Sequence, residues 1–273
     1  MKLFSLIMLF CCWLLSLGSV AASAGRRGLP ERVNGDGKNI KTITGGTFRP
    51  QYGMDKDQKP LRVDKFKIDA YPVTYEQFYK FVQKNPVWQK GKVSSLYADE
   101  EYLRHWKNAE PSEDKKNIPV TYISWFAAEA YCEAQGGVLP SVLQWEYVAA
   151  ASETKADASG DKAFTEKLLK WYSKPSNPET LPEVGKTKPN YWGVFDMHGV
   201  VWEWNEDFNS VFVTGDNRQD KDAVKDLFCG GGSLGARDKE NYAAFMRYAL
   251  RNSLKARYAL GNLGFRCAYE EKK

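Results

Sequence analysis

Two carboxylates seven positions apart, Asp196 and Glu203, mark the densest chemical run in the chain, Pro189-Asn190-Tyr191-Trp192-Gly193-Val194-Phe195-Asp196-Met197-His198-Gly199-Val200-Val201-Trp202-Glu203-Trp204. Carried by a bent loop, they can reach one cation from either side, with backbone carbonyls completing the hard oxygen cage that calcium takes. Gly193 and Gly199 permit tight turns in such a loop. Trp202 and Trp204 alternate with Glu203, so an extended segment sends both indoles to one face and the carboxylate to the other. His198 lies in the same run, but no second histidine accompanies it to build a transition-metal site. Its expected part is a structural hydrogen bond.

Together with Gly231-Gly232-Ser233 and Asn262-Leu263-Gly264-Phe265-Arg266-Cys267, this run resembles the formylglycine-generating enzyme (sulfatase-modifying factor) family. That signature reads roughly N-x-x-G-L-x-D-M-x-G-N-V-x-E-W, then R-G-G-S, then N-x-G-F-R. Further matches follow in order: Ile68-Asp69-Ala70-Tyr71-Pro72-Val73-Thr74 through Phe78, Ser124-Trp125 through Tyr131-Cys132, and Leu139-Pro140-Ser141 through Trp145-Glu146-Tyr147. The resemblance implies an α+β, loop-rich architecture related to C-type lectin folds, a single domain over residues 42–270. It implies a calcium site on the side chains of Asp196 and Glu203 and the carbonyls of Gly199 and Val201, and a disulfide between Cys132 and Cys267. Val200 stands where the family carries Asn. For the two carboxylates a second reading stays open, a buried pair satisfied by arginine or backbone donors.

One departure decides the chemistry. Competent members continue the G-G-S strand into S-x-x-C-x-x-x-x-C, whose soft thiolates bind copper(I). This chain reads Ser233-Leu234-Gly235-Ala236-Arg237-Asp238-Lys239-Glu240-Asn241, placing Ala236 and Asn241 at the two cysteine positions. Neither ligates copper, so the resemblance here implies neither a copper centre nor standard formylglycine generation. Ser233, Arg251 and Tyr248 remain as candidate pocket residues, with Tyr242 nearby. Arg247, Arg257 and Arg266 crowd the same C-terminal segment, and arginine suits carboxylate or phosphate through paired donors. The competing reading pins Arg247 and Arg266 to buried carboxylates or carbonyls. Cys229 reads as a small buried strand residue.

Related members lacking the cysteines act as accessory or maturation proteins, some beside copper nitrite reductases and others late in siderophore maturation. The resemblance therefore implies an accessory factor with a periplasmic protein or small-molecule client. Two alternatives stand beside it: a binding module on a lectin-like scaffold recognising a protein or glycan, and an enzyme using the old pocket by a different mechanism.

The elements that must carry these residues are read from composition and pattern. The chain has 273 residues, 43% hydrophobic and 14% aromatic, which suits a globular core. Its net charge of +5 is dispersed, without the Lys/Arg block that tracks nucleic acid, so no nucleic-acid partner is expected. Lys2, the apolar run Leu3 to Leu17 and the ending Ala22-Ser23-Ala24 describe a secretory signal peptide over residues 1–24, cut before Gly25. This implies a periplasmic or secreted protein with no membrane attachment after cleavage. An uncleaved N-terminal anchor is the alternative. Residues 25–41 read as a flexible lead-in.

Within the domain, strands are expected at Thr42–Phe48 and Arg62–Ile68, and again at Leu227–Leu234, Met246–Arg251 and Leu263–Ala268. Helices are expected after Thr74 through Gln83, after Ser124 to the Gly136-Gly137 stop, from Ser141 to about Ala151, and near Phe164–Tyr172. Residues 85–117 read as a loop-rich insertion with a short helix around 99–107 and a solvated His105.

Overall fold

The computed structural model describes residues 39–51, 59–107, 111–174, 177–209 and 239–270, the last segment as backbone alone at 239–241. The helices start where short-range side-chain chemistry starts them. In α1 (Tyr75–Lys84) Thr74 accepts from the Gln77 N–H while the Gln77 side chain accepts from the Thr74 N–H, a reciprocal cap. Ser141 and Gln144 repeat the device at α3 (Val142–Ala149). Ser124 caps α2 (Trp125–Gln135), which ends on Gly136 at φ 80°, the left-handed conformation that suits glycine. Asp161 caps α4 (Lys162–Tyr172), carrying the amphipathic stretch expected near 164–172.

The strands are shorter than the sequence pattern. In place of one strand over Thr42–Phe48 there are two, β1 (Ile40–Ile43) and β2 (Gly46–Phe48). Gly45 lies between them at φ 75°, and a Cβ there would sit 2.4 Å from the Val63 carbonyl oxygen. Only glycine permits that approach. The Arg62–Ile68 strand likewise divides into β3 (Leu61–Val63), pairing β2, and β4 (Phe66–Asp69), which lies between β1 and the C-terminal β7 (Ala268–Glu270) in an antiparallel sheet. A third, two-residue ladder is parallel: β5 (Trp202–Glu203) against β6 (Leu263–Gly264).

Three expectations are corrected. Met246–Arg251 lies inside a helix, α5 (Lys239–Ser253). Its buried residues Ala243, Ala244, Arg247, Tyr248 and Arg251 recur three and four apart, a helical stripe that the alternation of shorter stretches obscured. Residues 99–107 form turns instead of a helix, with Leu103 at φ 51° donating its N–H to the Tyr122 carbonyl. His105 is half-buried against Tyr122, ring centroids 4.6 Å apart, and not solvated. Leu227–Leu234 and Cys229 lie outside the described residues, as do residues 1–24.

Two apolar clusters fill the molecule. One gathers α1, α2 and the C-terminal strands around Phe78, Phe81, Tyr131, Trp204 and Phe265. The other joins the β1–β4 sheet to α3 through Ile43, Phe66, Ile68 and Val148. The disulfide Cys132–Cys267 sits fully buried in the first, joining α2 to the residue before β7 as the family resemblance implied. No helix of the described residues is long and apolar enough to cross a membrane.

Asp69 closes the seam between β4 and the C-terminal segment. Its carboxylate accepts from the Cys267 N–H and the Tyr269 hydroxyl, each at 3.0 Å. Burial raises its pKa from 3.8 to about 6, against both hydrogen bonds. A folded pKa above the unfolded one means the folded state holds the proton more tightly. The stability contributed is therefore complete below about pH 4 and is lost as pH rises through 6. Asp69→Asn cannot lose it. From pH 4 to 7 the variant should gain about 1–3 kcal/mol on the parent, at 1.4 kcal/mol per pKa unit. Urea midpoints at four pH values measure the difference, and parallel curves would refute the assignment.

Candidate functional site

Glu203 and Arg266 face each other at the β5–β6 ladder, both side chains wholly excluded from solvent. Arg266 donates from Nε to Oε2 and from Nη2 to Oε1, each at 2.8 Å, and the Trp145 indole N–H donates to Oε2 at 2.7 Å. The remaining guanidinium donors reach the carbonyls of Asp69, Ala70 and Phe195. One arginine thus ties β4, the Phe195–Asp196 corner and β5 together.

Asp196 turns that corner at φ 58°, a left-handed conformation that aspartate tolerates better than most side chains. Its oxygens accept from the Gly185 N–H at 2.5 Å and the Thr187 hydroxyl at 2.7 Å. The Thr187 oxygen accepts in turn from the Asp196 N–H. Both expected calcium ligands are therefore engaged by protein donors, and Glu203 already carries a full positive charge at hydrogen-bonding distance. The set Asp196, Gly199, Val201 and Glu203 does not fit a calcium cage here. Among the described residues no group of three or more His, Cys, Asp or Glu could hold a metal ion. The carboxylates instead follow the second reading, satisfied by an arginine and by backbone and side-chain donors.

A second ion cluster holds α5. Glu146 on α3, 4% exposed, accepts from Arg247 through Nε and Nη2 and from Arg251 through Nη1. Burial works to raise its pKa, but the two guanidinium charges prevail and hold it at about 2. Arg247 also donates to the Tyr172 hydroxyl at 3.2 Å. Arg251 donates to Asn205 Oδ1 at 2.8 Å and lies over the rings of Trp145 and Tyr248. Arg251 and Tyr248, expected at a pocket, are thus buried in this cluster, at 6% and 3% exposure. The arginines that crowd in sequence disperse in space: two on Glu146, one on Glu203, and Arg257 at a separate cavity beside Lys90 and Asp99. Tyr242 is 38% exposed. Ser233 and Ala236 lie outside the described residues, and Asn241 is placed by its backbone alone on α5.

Above these locks lies a cavity of about 330 Å³ walled by Trp171, Tyr172, Leu181, Trp202 and Asn262. Trp202 stacks on Tyr172 with centroids 5.2 Å apart and packs on Trp171 at 5.1 Å. Its backbone N–H donates to the carbonyl of Asn262, the residue before β6. The indoles of Trp202 and Trp204 part company with the simple alternation: Trp202 is half-buried in this wall, while Trp204 is fully buried and donates to the Ile123 carbonyl. Glu203 is buried too, so neither face of the segment is a solvent face. Among the described residues lining this cavity are no thiol, imidazole or carboxylate. The arrangement favours recognition through aromatic faces, with Asn177, Asn262 and Lys174 also in the lining.

Sequence reasoning missed the parts of Trp171, Tyr172, Asn205 and Thr187, and the role of Glu146. A charged residue inside the apolar triplet Trp145-Glu146-Tyr147 was the available signal for Glu146, since a carboxylate on a buried helix face needs a cation.

The family model described as "Sulfatase-modifying factor enzyme 1-like domain" matches residues 27–271. Over 284 residues the chain is 26% identical to the inactive C-alpha-formylglycine-generating enzyme 2 of Bos taurus, covering 87% of this chain and 90% of that one. It is also 26% identical over 270 residues to the formylglycine-generating enzyme of Mus musculus, covering 83% and 72% respectively. The solved structure of PvdO from Pseudomonas aeruginosa aligns with TM-score 0.42 and 17% identity, over 85% of this chain and 92% of that chain.

Proposed function

The chain belongs to the sulfatase-modifying factor family, and from that premise we propose that it is an exported accessory or maturation factor that recognises a client without generating formylglycine. The observation that carries this reading is the replacement of the copper-binding cysteine pair by Ala236 and Asn241. A thiolate pair is what makes a copper(I) site, and alanine and asparagine supply no substitute. The aromatic cavity over Trp202 supports the other half of the reading. It keeps a surface of aromatic faces on which a client group can pack. The client is a periplasmic protein or small molecule, reached after cleavage of the segment ending Ala22-Ser23-Ala24.

The test is oxygen consumption by the purified mature protein with a C-x-P-x-R peptide and copper(I), alongside metal analysis. The expected result is an inert peptide, no oxygen uptake beyond the protein-free control, and neither copper nor calcium retained at stoichiometric level. Conversion of the peptide cysteine to an aldehyde with oxygen uptake would refute the accessory reading. A photo-crosslinking residue at position 202 should then yield a discrete client adduct in the cell of origin. Cross-linking indistinguishable from that at exposed Leu96 would argue against recognition at this cavity.

A further inference from the structure

The composition of the Trp202 cavity narrows what it can hold. Among the described residues its lining carries one charge, Lys174, exposed just after α4, and no carboxylate. A cationic ligand would meet that ammonium with nothing of opposite sign to neutralise it. Nor do the rings form a cage around a cation. Trp171, Tyr172 and Trp202 pack on one another, with centroids 4.5 to 5.2 Å apart. A wholly apolar ligand fits no better, because Asn177, Asn262 and Thr180 share the lining. Their polar groups would lose water without gaining a hydrogen bond.

Those polar groups are within reach of a ligand. Asn177 and Thr180 are exposed, while Asn262 and Trp202 are half-buried. The Asn262 amide and the Trp202 indole N–H have no hydrogen-bond partner among the described residues, and neither is one of the buried polar groups left without a partner. Asn177 uses its Oδ1 on the Glu179 N–H and keeps its Nδ2 donors. An amide offers a donor and an acceptor, and a hydroxyl is both at once, which is the pattern that answers an array of ligand hydroxyls. The indoles supply the complementary surface. An aromatic face is negative, and the aligned C–H bonds of a sugar ring present a weakly positive, apolar face to it. The volume of about 330 Å³ lies at the small end of ligand pockets.

We propose that the Trp202 cavity binds an acidic sugar, a pyranose ring carrying a carboxylate. Its C–H face lies on the indoles of Trp171 and Trp202, its hydroxyls meet Asn177 and Asn262, and its carboxylate is turned toward Lys174. This names the ligand class of the recognition surface already described and rests on that reading. The sugar is either a free saccharide or a group carried on a client protein.

Digalacturonic acid is the probe, read through the indole N–H signals in 1H–15N spectra of the purified chain. The Trp202 signal should move with a Kd at or below about 1 mM. The Trp204 signal should stay, since that indole is fully buried and donates to the Ile123 carbonyl. The dimethyl ester, which keeps the rings and hydroxyls without the charge, should bind about threefold more weakly. Lys174→Gln should make acid and ester equal, and Asn262→Ala should weaken both about fivefold. Neither substitution removes a side-chain contact described above, so the test holds even where Trp202→Ala, which should abolish binding, fails to fold. No shift with roughly 10 mM digalacturonate, equal affinity for acid and ester in the parent, or binding unchanged in Asn262→Ala would each overturn the assignment. A client adduct at position 202 with no binding of the disaccharide would overturn the sugar and leave the recognition reading standing. Where the disaccharide binds, periodate oxidation of the client before cross-linking separates the two sources: the adduct is lost if the sugar is carried on a protein and kept if the saccharide is free.

Discussion

Arg266→Met should lower the free energy of unfolding by about 3–5 kcal/mol, the cost of leaving one member of a buried ion pair without its partner. The expectation rests on how completely Arg266 is used. Both oxygens of Glu203 are on its guanidinium, and three carbonyls from two other segments accept from the same group. With methionine in its place Glu203 keeps only the Trp145 indole as a hydrogen-bond donor among the contacts described above. The carboxylate cannot recover water, since its side chain is fully excluded from solvent. Urea denaturation with linear extrapolation gives the number. The double variant Glu203→Leu with Arg266→Met should regain a large part of the loss, because a desolvated ion pair replaced by apolar volume is often neutral or better. A single-variant loss under about 1 kcal/mol, or a double variant as unstable as the sum of its parts, would show that the pair does not tie the segments together.

The second large effect belongs to the disulfide. Cys132 and Cys267 are 135 positions apart, so the bond closes a loop spanning half the chain. Chain-entropy reasoning assigns such a crosslink about 5 kcal/mol through the unfolded state, and native disulfides removed from proteins cost about 2–5 kcal/mol. The paired variant Cys132→Ala, Cys267→Ala should fall in that interval, with a small added loss from the space left in a site where both residues are fully buried. The same variant should be insensitive to dithiothreitol in thermal melts while the parent is not. A parent that melts identically with and without reductant, at a temperature shared by the variant, would remove the disulfide from the account of stability. Arg266 and Cys267 are adjacent, yet their variants act through different states: the first on the folded core, the second chiefly on the unfolded chain.

What was legible in the sequence was local. Thr74 with Gln77 and Ser141 with Gln144 are three residues apart, and a cap is settled by atoms within one turn. Gly136 announces a helix end for the same reason. The Cys132–Cys267 pairing was legible only through resemblance to a family, since nothing local joins residues so far apart. The strand expected at Met246–Arg251 failed because a six-residue window is too short to distinguish a helical stripe from a strand, and here the stripe continues from Ala243 to Arg251.

By itself, then, the sequence determined the starts of α1, α2 and α3 and the ordered motifs by which the chain resembles its family, with Ala236 and Asn241 standing where that resemblance expects cysteines, because each is written in the identity or near spacing of residues. Tertiary structure alone decided where the charges go. Glu203 meets Arg266 across 63 positions and Glu146 meets Arg247 across 101, and that choice converts apparent calcium ligands and pocket arginines into buried struts. It likewise decided that Trp171 and Tyr172 of α4 join Trp202 in one cavity wall, and that His198 is buried with its Nε2 against the Ala149 carbonyl. A charge or lone pair placed in a low-dielectric interior must find a partner, and which partner it finds is set by the packing of segments that the chain brings together only on folding.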